Sequence, residues 1–212
     1  MEKGKFIALE GIDGSGKSSQ IGRLVQRIEG LGLRCRADRE PTGGPVGSLI
    51  RQIFTGRVSA DNRVIAALYA ADRLDHLVNE VDGLCAAIDQ GITVVSDRYY
   101  FSSYAYHSVD IDMDWVIGAN ALSADLLRPT VTIFLDVPVE TAVERIRQNR
   151  FVEEIFDGED RLRQTRALYF KAFERLKDVE NVVVVDGSGA QEQVAERIWA
   201  AAAPCFTPGP DA

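Results

Sequence analysis

Half-cystines, membrane spans and metal-ligand clusters are what this sequence lacks. Its 212 residues hold 3 cysteines, Cys35, Cys85 and Cys205, an odd number set far apart without a C-x-x-C pair, and only 2 histidines. A disulfide scaffold is thereby excluded and a zinc site disfavoured; lone thiols of this kind suit a reducing compartment. No apolar run reaches the ~18 residues of a membrane helix. The apolar stretch between Lys5 and Glu10 is too short for a secretory leader, so a cytoplasmic protein is expected. Positive charge is also scarce: 24 Lys+Arg stand against 32 Asp+Glu, a net charge of −8. That balance argues against nucleic-acid and membrane partners, which positive fields gather, but leaves room for a small anion in a locally basic pocket. What remains is an ordinary globular composition, 46% hydrophobic and 26% charged. The length predicts one domain over residues 1–203, with a Pro- and Gly-rich tail, 204–212, expected to fray.

Short apolar runs at residues 6–9, 33–39, 93–97, 131–136 and 182–186 read as strands, several of them ending in a carboxylate. Between them, Ile21, Leu24, Val25, Ile28 and Leu31 recur at three and four, as do Leu49, Ile50 and Ile53 and the apolar residues from Ile65 to Val81 behind a capping Asp61. Strands alternating with helices predict an α/β fold, a five-stranded parallel sheet with helices on both faces. Ligands of such sheets bind at the carboxyl ends of the strands, where Glu10, Asp97, Asp136 and Asp186 fall.

Gly11-Ile12-Asp13-Gly14-Ser15-Gly16-Lys17-Ser18, followed by Ser19, fits G-x-x-x-x-G-K-[ST] between a strand and a helix. Glycines let consecutive backbone N–H groups converge on phosphate oxygens, and the following helix adds its positive end. Lys17 can then reach the β- and γ-phosphates of ATP, and the Ser18 hydroxyl can ligate Mg²⁺. The plain alternative is a tight turn carrying a surface lysine. No Asn-Lys-x-Asp guanine reader is present, nor an LSGGQ signature.

With that loop stand Arg39-Glu40-Pro41, Leu49-Ile50-Arg51, Ala70-Ala71-Asp72-Arg73, Ser96-Asp97-Arg98-Tyr99, Ser102-Ser103-Tyr104-Ala105-Tyr106 and Phe134-Leu135-Asp136-Val137. In this order and spacing, from Phe6 to about Ile198, the chain resembles the thymidylate (dTMP) kinase family of P-loop nucleoside monophosphate kinases. The resemblance implies ATP and Mg²⁺, a helical lid at about 145–166, a homodimer, and transfer of a phosphoryl group to dTMP. It implies that Arg51 and Arg98 hold the acceptor phosphate, that Tyr69 and Arg73 read the base, and that Ser103 and Tyr106 belong to the same site. Asp13 is expected at the sugar, and Asp97 beside Ser18 at the metal. Gly14 stands where some relatives carry arginine; the missing cation is expected from the lid, with Arg147 and Arg150 chosen. Gly187, Ser188 and Ala190 are candidates for the adenine side, His107 replaces a glutamine common among relatives, and His76 reads as structural. Two other readings stay open: a kinase for another monophosphate or a deoxynucleoside, and a nucleotide-binding regulator without turnover.

Overall fold

A computed structural model describes residues 2–149 and 158–207. Five parallel strands, β1 (Phe6–Glu10), β2 (Cys35–Arg39), β3 (Thr93–Asp97), β4 (Val131–Asp136) and β5 (Val182–Asp186), form one sheet in the order β2-β3-β1-β4-β5. The three inner strands are buried on both faces, which is why they read as unbroken apolar runs; β2 is an edge and carries Arg36, Asp38 and Arg39. Helices α1 (Lys17–Glu29), α2 (Pro45–Phe54), α3 (Asn62–Val78), α4 (Leu84–Asp89), α5 (Tyr100–Tyr106), α6 (Met113–Ala119), α7 (Ala121–Leu126), α8 (Val139–Asn149), α9 (Glu159–Leu176) and α10 (Gln191–Ala202) complete the described chain. None is long and apolar enough to cross a membrane.

Side chains of a strand alternate between faces, and the two cores divide accordingly. Ile7 and Leu9 of β1 pack with Ile21, Leu24 and Ile28 of α1 and Val194, Ile198 and Ala202 of α10. Phe6 and Ala8 of the same strand face Tyr100, Phe101 and Tyr104 of α5 and Tyr169 and Phe173 of α9. On the first face α1 and α10 are also tied along their lengths. Gln20 donates to the Gln191 carbonyl, Arg23 pairs with Glu192 and Arg27 with Glu196, and Arg27 lies over the Trp199 ring.

Two expectations need correction. Leu31, which the spacing puts on the α1 stripe, lies past the helix end, exposed, where Gly32 takes a positive φ of 79°. The helix capped by Asp61, whose carboxylate accepts the Arg63 N–H at 2.8 Å, stops at Val78, and Val81 is almost wholly exposed. Of the expected tail, residues through Thr207 are described: Ala203–Cys205 form a 3-10 turn, and Phe206 stacks on Trp199 with rings 6.1 Å apart. Residues 208–212 lie outside the described set.

Candidate active site

The glycine-rich loop joins β1 to α1, with Gly11, Gly14 and Gly16 at φ of 153°, 77° and 96°. A Cβ at Gly14 would overlap the Ala142 carbonyl of α8, and one at Gly11 would come within 2.8 Å of the Leu135 carbonyl oxygen. Glycine is therefore required at both positions by backbone conformation and by close approach. Lys17 curls back into the loop, its ammonium donating to the Gly11 carbonyl at 2.9 Å and the Ile12 carbonyl at 3.2 Å. Burial, reinforced by the Arg98 charge, pushes that ammonium down to about 8 against the pull of Asp97, Asp13 and Glu10.

A cavity of about 870 Å³ opens over the loop, lined by Asp13, Gly14, Ser15, Gly16, Lys17, Ser18 and Ser19, by Asp97 and Arg98, and by Gly187, Gly189 and Ala190 after β5. Gly11 and Ile12 do not line it; they lie beneath and hold Lys17. Of the residues proposed for the adenine side, Gly187 and Ala190 are on the wall and Ser188 is not. Ser18 donates to Asp97 Oδ2 at 2.7 Å, while Asp97 Oδ1 is buried without a hydrogen-bond partner. Two hard oxygens with an unused lone pair beside a phosphate cradle fit Mg²⁺. Among the described residues no cluster of three or more His, Cys, Asp or Glu could hold a metal alone.

A second cavity, about 530 Å³, lies alongside, lined among others by Arg39, Glu40, Arg51, Phe54, Tyr69, Tyr106, His107 and Arg161. Asp13 and Arg98 line both cavities. Arg98 is the one described non-glycine residue with positive φ, 74°. Its side chain is held by an ion pair to Asp13, by Ser102 Oγ at 2.9 Å, the Gly11 carbonyl and the Tyr106 hydroxyl at 3.3 Å, and a face-on contact with the Tyr106 ring. Beneath it, Glu10 is fully buried and accepts from the backbone N–H of Tyr99 and Ser102, from Ser102 Oγ and from the Tyr169 hydroxyl. Desolvation raises the Glu10 carboxyl, although these bonds, Ser102's first, and Arg98 oppose it.

Tyr69 lies on the wall of this second cavity between Phe54, ring centroids 6.2 Å apart, and His107, 5.1 Å apart. Burial, then the charges of Arg73 and Arg161, push the His107 imidazole down to about 4, so it is neutral at neutral pH. Arg51 lines the cavity too, steadied by the Pro41 and Thr42 carbonyls and Ser48 Oγ. At the rim Arg161 and Asn62 both donate to Asp110 Oδ2, at 2.7 and 2.9 Å.

Three more of the expected site residues lie off the cavity walls. Arg73 and Ser103 do not line the cavity. Arg73 is 1% exposed, and its guanidinium is engaged by Glu40, Ser103 and Asn120. The adjacent serine, Ser102, is the one on the wall. Arg147 lines neither cavity and is exposed. Two residues along a helix is a turn of about 200°, so Arg147 faces away from its neighbour Arg145. Arg145, which sequence reasoning passed over, donates to the Ser15 carbonyl at 3.1 Å and the Gly187 carbonyl at 3.3 Å and lines the loop cavity. Arg150 lies outside the described residues.

A family model described as thymidylate kinase matches residues 9–198. A protein of Syntrophotalea carbinolica named thymidylate kinase is 34% identical, covering 92% of this chain and 93% of its own. One of Xanthomonas oryzae pv. oryzae with the same name is 38% identical, covering 78% of this chain and 70% of its own.

Proposed function

The chain belongs to the thymidylate kinase family, and on that premise we propose how its two cavities are used. The protein is a kinase that phosphorylates dTMP. ATP takes the cavity over the glycine-rich loop and dTMP the one beside it, and the γ-phosphoryl moves between them to give ADP and dTDP. The observation that carries this reading is the shared wall: Asp13 and Arg98 border both spaces, so two phosphorylated ligands meet there and nowhere else among the described cavities.

A phosphomonoester oxygen is already ionised at neutral pH, so the acceptor needs no general base. The protein's task is to position two anions and neutralise the charge that keeps them apart. Lys17 and the loop N–H groups hold the donor phosphates; Arg98 and Arg51 hold the acceptor phosphate. Arg145, rather than Arg147, is the α8 cation at the loop, and Arg150 is the lid cation over the transferring group. Tyr69 stacks on the base, Tyr106 packs against the sugar near Asp13, and Arg73 and Ser103 support this wall from behind. Ser18 and Asp97 would hold Mg²⁺, which would supply positive charge against the donor phosphates. Guanidinium groups from Arg39, Arg51, Arg98 and Arg161 around the acceptor cavity favour an acceptor that is already phosphorylated over a neutral nucleoside.

A homodimer is supported by an exposed apolar stripe on α3, Val64, Ala67, Ala71 and Val78, with Trp115 of α6 and Leu122 of α7 also exposed. A cytoplasmic location accords with the unpaired thiols and the nucleotide substrates.

The deciding measurement is coupled ADP release with dTMP, dUMP, dCMP, dGMP, AMP and thymidine offered in turn. Turnover should be highest with dTMP and absent with thymidine. Strong turnover with another monophosphate and none with dTMP would overturn the acceptor assignment and leave the donor site standing.

A further inference from the structure

We propose that His76 is a positioning residue of the acceptor site: it clamps the carboxyl end of β2 to α3, and so fixes Glu40, a residue of the cavity wall, and the Arg73 guanidinium behind it. The proposal rests on the reading of that cavity as the dTMP site.

His76 is 8% exposed and is no part of the cavity wall, so it does not touch the substrate space itself. Its Nδ1 lies 3.2 Å from Glu40 Oε1, and its Nε2 lies 3.1 Å from Asp38 Oδ1, the latter at an angle too bent for a hydrogen bond. A nitrogen lone pair turned toward a carboxylate oxygen at such distances is repelled, so both nitrogens carry protons and the ring is an imidazolium. The outer oxygens of both acids are already engaged: Asp38 Oδ2 meets Arg36 at 3.1 Å, and Glu40 Oε2 meets Arg73 Nε at 2.8 Å and Nη2 at 2.6 Å. The result is a row of alternating charge, Arg36, Asp38, His76, Glu40, Arg73, running from the sheet edge to Ser103 of α5 and Asn120.

Among the described residues Asp38 and Glu40 are the charged groups that act on the ring; on α3 itself, Asp72 is turned to Thr42, accepting from its N–H and hydroxyl. Burial works to discharge the imidazole, but the close carboxylates of Asp38 and Glu40 outweigh it and push the ring up to about 9. The clamp is therefore complete at neutral pH and is lost as pH rises through that value. Without the middle cation, the buried Glu40 carboxylate faces the half-buried Asp38 carboxylate and loses the partner that sets its angle.

The test is dTMP affinity by calorimetry, without donor, from pH 7 to 10, for the wild type and His76→Gln. Thymine's own ring N–H also ionises at alkaline pH, so the variant supplies the baseline. Wild-type Kd should rise by up to about tenfold between pH 8 and 10 relative to the variant. At pH 7 the variant should bind dTMP about fivefold to twentyfold more weakly, an effect on the scale of one strong polar contact, while kcat at saturating dTMP stays within about twofold of wild type. Parallel pH profiles, or equal affinity at pH 7, overturn the proposal. Should His76→Gln fail to fold, imidazole NMR of the wild type decides, since the chain has only 2 histidines. Saturating dTMP should raise the His76 titration midpoint, whereas an unmoved midpoint overturns the proposal. Absence of any dTMP binding by the wild type at pH 7 would count against the acceptor reading and take this role with it.

Discussion

Arg98 shows what a residue must give up to serve two cavities. A positive φ costs a non-glycine residue about 1–3 kcal/mol, which persists only where surrounding contacts over-determine it. Here the Asp13 ion pair, Ser102, Gly11 and the Tyr106 hydroxyl and ring supply those contacts. Lys17 offers the more direct measurement. With its ammonium pushed down to about 8 in the free protein, the cationic form that grips phosphate is depleted above that pH. ATP affinity, measured by calorimetry without dTMP, should therefore be level from pH 6 to 7.5 and weaken toward about tenfold per pH unit above 8.5. An affinity constant to pH 9.5 would show the lysine to be more solvated than its burial implies. Lys17, Ser18, Asp97 and Arg98 were legible in the sequence because each sits at a fixed step from a strand end. That Arg73 stands behind the wall rather than on it was not readable, because helical spacing tells which residues share a face with Tyr69, not that Glu40 and Asn120 engage its guanidinium there.

At the scale of elements, the decisive contact is α8 laid on the glycine-rich loop. Its Ala142 carbonyl occupies the space a side chain at position 14 would need, and the same turn brings Arg145 to the Ser15 carbonyl. Gly14→Ala should therefore lower kcat/KM by at least about tenfold, because either the loop or α8 has to move off its partner; a 1 Å displacement can cost about a hundredfold in rate. Gly22→Ala is the control: nothing lies within 4 Å of a Cβ there, and it stands inside α1. It should leave activity unchanged and stabilise the protein by up to about 1 kcal/mol, read as a raised Tm. Wild-type activity in Gly14→Ala would mean that α8 yields freely. The five strands and the helices with one apolar face were readable from periodicity. The stretch from α5 to α7 was not, since Tyr100 through Ala105 are all buried and a helix covered on every side has no stripe to reveal it. That Arg145 rather than Arg147 meets the loop was likewise not readable, because composition does not give the rotational phase of α8 against the loop.

Over the whole molecule, charge is unevenly shared. A chain of net charge −8 gathers Arg39, Arg51, Arg98 and Arg161 around one hollow and Lys17, Arg98 and Arg145 around the next, so the anions it works on are drawn to the interior clefts. Its apolar surface is equally uneven, and the stripe on α3 sets the test of assembly. Sedimentation equilibrium at micromolar concentration should give twice the 23.3 kDa chain mass, and Ala71→Glu, at the centre of the stripe, should shift it to one. A wild-type chain that sediments as a single copy would remove the dimer. The rungs Arg23–Glu192 and Arg27–Glu196 have a consequence at this scale as well. Being exposed, each contributes at most about 1 kcal/mol, yet both repeat at four-residue steps on facing helices and so set the sliding position of one against the other. The first helix opens at the phosphate loop and the last begins just past Ala190, so together they act as the arms of a caliper. The gap at its tips is gauged by the rungs just behind them, and a frame cut short before Gln191 would keep Lys17, Ser18, Asp97 and Arg98 and still close on nothing.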